Sequence, residues 1–99
     1  MRIKIENKSN KNIGDLMRGA GYKLIGSDGN QLNFVHRIAS LDYPRFHVYM
    51  KEIGKEWEIN LHLDQKKPVY KGVTAHSGEY EGVLVEQEIE RIKGFFQNA

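Results

Sequence analysis

The chain has 99 residues, 39% of them hydrophobic and 28% charged, with a formal net charge of +2 and no cysteine. Such values fit one globular domain with a modest core and exclude disulfides and thiolate metal sites. No apolar run approaches the ~18 residues a membrane-spanning helix needs, and Met1 to Glu6 lacks the apolar centre of a signal peptide, so a cytoplasmic protein without membrane contact is expected. The charge is uneven: residues 1–51 carry nine Lys/Arg against four Asp/Glu, and residues 52–99 carry six against nine. A basic half attracts nucleic acid or an acidic partner.

Ile3 and Ile5 alternate with Arg2, Lys4 and Glu6, the pattern of a short strand. Asn7 to Asn12 is a polar connection, in which Ser9 or Asn10 is placed to cap a helix. Ile13, Leu16, Met17 and Ala20 then mark one helical face, and Gly21 is placed to end that helix in a left-handed conformation. Tyr22 to Ile25 and Gln31 to Ile38 read as strands, joined by a turn over Gly26 to Asn30. A loop from Ala39 closes at Pro44.

The clearest element follows. Phe46, Val48 and Met50 alternate with His47, Tyr49 and Lys51; Trp57, Ile59, Leu61 and Leu63 alternate with Glu58, Asn60 and His62. Gly54-Lys55 suits a two-residue hairpin with glycine first. That register sets Lys51 opposite Glu58, Val48 opposite Leu61 and His47 opposite His62. A register two residues away keeps the same faces, whereas a slip of one inverts them all. After Asp64 comes a long spacer, and long spacers in small domains are commonly functional or disordered. A last helix starts near Val83, with Val85, Ile89, Ile92 and Phe96 as its apolar stripe. Its acids precede its bases, in keeping with the helix dipole.

The expected fold is α+β and a single domain spanning 1–99: an antiparallel sheet of four to five strands with two helices packed on one face, in the order β-α-β-β-β-β-α. The other face then presents His47, Tyr49, Asn60 and His62, beside Asn33 and Arg37, as a solvated polar surface.

Three functions fit these residues. The first is a binding module that contacts RNA or a protein through His47, Tyr49, Asn60, His62, Arg37, Arg45 and Tyr80 and through the 64–82 loop, since RNA-binding sheets use aromatic and arginine side chains in this way. The second is a small hydrolase or nuclease using His62 and His76 with Asp64 or Glu79 as an acid–base set. The third is an inhibitor or assembly factor acting on another protein. The histidines and carboxylates, Glu81 included, are also metal-ligand types. Their spacing matches no metal signature such as HExxH, and neither metal nor cofactor is expected.

Two resemblances add to this reading. Residues 43–92 resemble a group of small uncharacterised bacterial proteins through the strings YPRFHVYMK, NLHLDQKKPVYKG, AHSGEYEG and VEQEIERI. The front part, through LMRGAGYKLIG and the following Gly29-Asn30-Gln31-Leu32-Asn33-Phe34, is similar to the HicA-type toxins. These are small ribonucleases with a double-stranded-RNA-binding-like fold. Asn30 and Gln31 stand where those toxins carry an essential histidine; the nearest histidine here is His36.

Overall fold

The computed structural model describes residues 1–65, 78–79 and 82–97. The chain runs β1 (Arg2–Glu6), α1 (Ile13–Gly19), β2 (Lys23–Asp28), β3 (Gln31–Arg37), β4 (Arg45–Ile53), β5 (Glu56–Asp64), β6 (Gly78–Glu79) and α2 (Val83–Gln97). All pairings are antiparallel, and the sheet order is β1-β5-β4-β3-β2. The two-residue β6, which the sequence pattern does not reveal, pairs with Leu63 and Asp64 of β5, on from the stretch that β1 covers. The expected α+β order is otherwise the one observed.

Helix α1 is capped by Asn12, not by Ser9 or Asn10. The Asn12 side chain accepts from the Asp15 amide at 2.8 Å. Ser9 is instead committed to a turn of its own: its amide and hydroxyl both donate to Asn7 Oδ1, at 3.0 and 2.6 Å. That turn also lets the Lys8 amide reach the Phe96 carbonyl, satisfying one of the last acceptors of α2. Gly21 ends α1 with φ +97°, a conformation glycine adopts without strain. A Cβ there would stand 2.9 Å from the His36 ring, whose Nδ1 donates to the Gly21 carbonyl at 2.8 Å.

The central hairpin has the expected register, with His47 opposite His62, Val48 opposite Leu61 and Lys51 opposite Glu58. Gly54 alone in its turn has positive φ, the pattern of a type II′ turn. Both helices pack on one face of the sheet. Leu16 and Met17 of α1 and Val85, Ile89, Ile92 and Phe96 of α2 meet Phe34, Phe46, Val48, Met50, Ile59, Leu61 and Leu63. A polar triad, with Glu88 and Tyr22 buried and Arg91 at the surface, seals this layer. Glu88 of α2 accepts from the Tyr22 hydroxyl at 2.6 Å and from Arg91 at 2.8 Å twice, while Arg91 also donates to the Ala20 carbonyl at 2.7 Å. Burial and the neighbouring carboxylate push the Tyr22 hydroxyl far above the usual phenol range, so it stays a donor. The helix dipole accounts for Glu86 in the first turn of α2. It does not account for Glu88, which is 7% exposed and serves this triad.

Among the described residues no helix is long and apolar enough to cross a membrane.

Candidate functional site

Strand pleating sends alternate side chains to the face that carries no helix. The registers then fix its rows. Arg37, Arg45 and Asp64 lie across β3, β4 and β5; Val35, His47 and His62 form the next row; Asn33, Tyr49 and Asn60 the third. Beyond them stand Gln31, Lys51 and Glu58. Arg2 and Lys4 of β1 extend the last two rows opposite Asn60 and Glu58, and Lys23 of β2 lies beside Val35. Every sequence-predicted binding residue from Arg37 to His62 therefore shares one face.

The expected solvation of this face holds at its rim and fails at its centre. His47 and His62 are 9% and 6% exposed. Alternation tells which side a residue takes, but not what packs over it. Here the rings pack on each other: His47 stacks on Tyr49 with centroids 4.3 Å apart, Tyr49 on His62 at 5.6 Å, and the two histidine rings lie 4.8 Å apart.

Asp64 is the charge that these rings share. His62 and Asp64 are two apart on β5, so pleating puts them on the same face, and Arg45 and His47 follow the same rule on β4. Asp64 Oδ1 lies 2.7 Å from His62 Nδ1, and Oδ2 lies 3.5 Å from His47 Nδ1 and 3.6 Å from Arg45 Nε. The 2.7 Å contact is within hydrogen-bonding distance and holds the carboxylate against the His62 ring. Both imidazoles are held below the ordinary histidine range. For His47 the causes are burial first and then the His62 charge; for His62 burial dominates. Asp64 pulls each of them back up. At neutral pH both rings are therefore uncharged, with a nitrogen lone pair available to a proton or a ligand. His47 Nε2 and Asn33 Oδ1 are buried without a hydrogen-bond partner among the described residues.

On either side of the ring stack is a depression of about 310 Å³. One is lined by Lys23, Arg37, Arg45, Val35 and Asp42, and the other by Arg2, Lys51, Tyr49, Gln31, Asn60 and Glu58. Arg37 reaches Asp42 at 3.5 Å, and the Arg45 guanidinium sits 4.7 Å over the Tyr43 ring.

The structure thus unites His62 with Asp64 and adds His47, which the acid–base reading left out. The signal for it was present, since the register places His47 opposite His62. Arg2, Lys23 and Lys51 also belong to the face; the parity of β1, β2 and β4 was enough to find them. His76 and Tyr80 lie outside the described residues, as do Glu81 and most of the 64–82 connection. Glu79 is placed by its backbone alone, opposite Leu63. His36 belongs elsewhere, on the helix side, tilted against Tyr22 with centroids 5.2 Å apart.

No protein-family model, no curated protein and no solved structure matches this chain.

Proposed function

We propose that this protein is a small RNA-binding module that lays a single strand across the helix-free face of its sheet. The observation that carries the reading is the pair of cation-lined depressions flanking the stacked Tyr49, His47 and His62 rings. Single-strand binders combine cations that follow the phosphates with ring faces that stack on bases, and this face offers both. The half-buried Tyr49 is the ring that meets a base; the two buried histidines stack against it. From the Arg37–Arg45 row to the Lys51 row is three pleat repeats, roughly 20 Å, enough for a short strand. The resemblance of the front part to small ribonucleases favours RNA over DNA.

Fluorescence anisotropy with a labelled single-stranded RNA, read across a salt series, tests this proposal. Binding that weakens with salt and drops in Tyr49→Ala supports it. Absence of binding at low salt with protein in excess refutes it, and capture of a stoichiometric protein partner instead would favour an inhibitor or assembly factor.

The 2.7 Å contact between Asp64 and His62 supports a second reading: a small hydrolase in which uncharged His62 accepts a proton while Asp64 orients the ring. Cleavage of the same RNA, abolished by His62→Ala, would identify that activity. An intact RNA after prolonged incubation excludes it for this substrate.

A further inference from the structure

We propose that His47, His62 and Asp64 form a binding site for one divalent transition-metal ion of the Zn²⁺ class. The site does not depend on the RNA-binding reading. Its donor set is two imidazoles and one carboxylate, which suits Zn²⁺ and its first-row neighbours and not the all-oxygen preference of Ca²⁺ or Mg²⁺.

Three ligand-type side chains converge at one place on the sheet face. Two donors of a four-coordinate Zn²⁺, each about 2.0–2.2 Å from the ion, stand roughly 3.3 Å apart. Asp64 Oδ2 stands 3.5 Å from His47 Nδ1, close to that value, and Oδ1 stands 2.7 Å from His62 Nδ1, a separation that widens by about 0.6 Å when both bind one ion. One donor atom from each residue lies within 4.8 Å of the others. The carboxylate sits between the two rings, turning one oxygen toward each. Rigidity is built in: all three residues sit on adjacent paired strands, and the rings are wedged by Tyr49.

Three protein ligands leave a fourth position for water or a ligand atom. Arg45, with Nε 3.6 Å from Asp64 Oδ2, is the neighbouring charge that such an ion must tolerate. It fixes the carboxylate and at the same time repels the cation. Arg45→Gln removes that repulsion and leaves all three ligands in place, so it should tighten binding.

The test uses the full chain without a polyhistidine tag, stripped with chelator and titrated with Zn²⁺ alone against a chromogenic competitor. One ion per chain is expected. His47→Ala, His62→Ala and Asp64→Asn should each weaken binding by at least the ~10–100-fold that loss of a supporting partner produces, and His36→Ala should not. Because a variant can fail to fold, a second measurement uses wild-type protein. Zn²⁺ should shift the imidazole ¹⁵N resonances of His47 and His62 and leave those of His36 in place. No saturable Zn²⁺ binding, or shifts confined to His36 or His76, overturns the proposal.

Discussion

Truncating Glu88 to alanine should be far more damaging than removing any exposed acid of α2. Glu88 takes three hydrogen bonds, from the Tyr22 hydroxyl at 2.6 Å and from Arg91 Nε and Nη2 at 2.8 Å each. Its removal strands a hydroxyl on a residue only 2% exposed and leaves Arg91 with the Ala20 carbonyl alone among its described oxygen partners. Breaking a buried pair from one side costs about 3–5 kcal/mol. The Arg91 side chain is 40% exposed, so water recovers part of that and the lower end, about 3 kcal/mol, is expected. For a domain of this size, each kcal/mol lowers Tm by roughly 4–8 °C, which gives a fall of about 12–24 °C. Glu90 is the control on the same helix. It pairs with Lys93 at 3.0 Å in the open, so Glu90→Ala should shift Tm by no more than about 4 °C. Tyr22→Phe should fall between them, at about 1–2 kcal/mol. Thermal and urea unfolding at pH 7, followed by circular dichroism, measure all three. A Glu88→Ala protein within about 1 kcal/mol of Glu90→Ala would refute the reasoning that this triad seals the helix layer.

Gly21→Ala should cost about 1–3 kcal/mol, because φ +97° and a Cβ 2.9 Å from the His36 ring penalise it together; urea midpoints measure it, and a neutral result contradicts the packing described. Metal-free protein should lose stability as the pH falls below about 6.5. The folded-state values of His47 and His62 are lowered, so the unfolded chain binds more protons in that range; the stability is complete above the unfolded value and is lost on the way down to the folded ones. Urea unfolding in chelator between pH 5 and 8 should show this slope, and His47→Gln/His62→Gln should flatten it; an unchanged slope counts against the burial of the rings. Tyr49→Ala should weaken RNA binding by about 1–3 kcal/mol, the worth of one stacked base, whereas Arg37→Gln should lower the salt slope by about 0.7 with less loss of affinity. Anisotropy titrations separate the two.

The hairpin of β4 and β5 was legible because period-two alternation, Gly54 and a one-residue parity rule leave few alternatives. The same parity alone puts His47, Tyr49, Asn60 and His62 on one face. It could not show that the rings stack and shield one another, because alternation carries no information about neighbours across strands until the register and rotamers are known. Asp64 was already a candidate beside His62, but its contacts with Arg45 and His47 needed β4 and β5 in register. Glu88 was hidden for a different reason. An acid near a helix start already has an electrostatic explanation, and its partner Tyr22 is 66 positions away. The Asn12 cap was displaced from Ser9 and Asn10 by a competing local turn built on the Asn7 side chain, an option that polar stretches hold open. A two-residue strand such as β6 has no period to detect.

The salt dependence of RNA binding by the wild-type chain tests the central claim most directly. With four to six of the cations on the helix-free face engaged, log K should fall against log salt with a slope of about −3 to −4 for a single strand, and a duplex of equal length should bind less tightly. A strand that fails to bind at low salt, or binds with a slope near zero, would contradict the account.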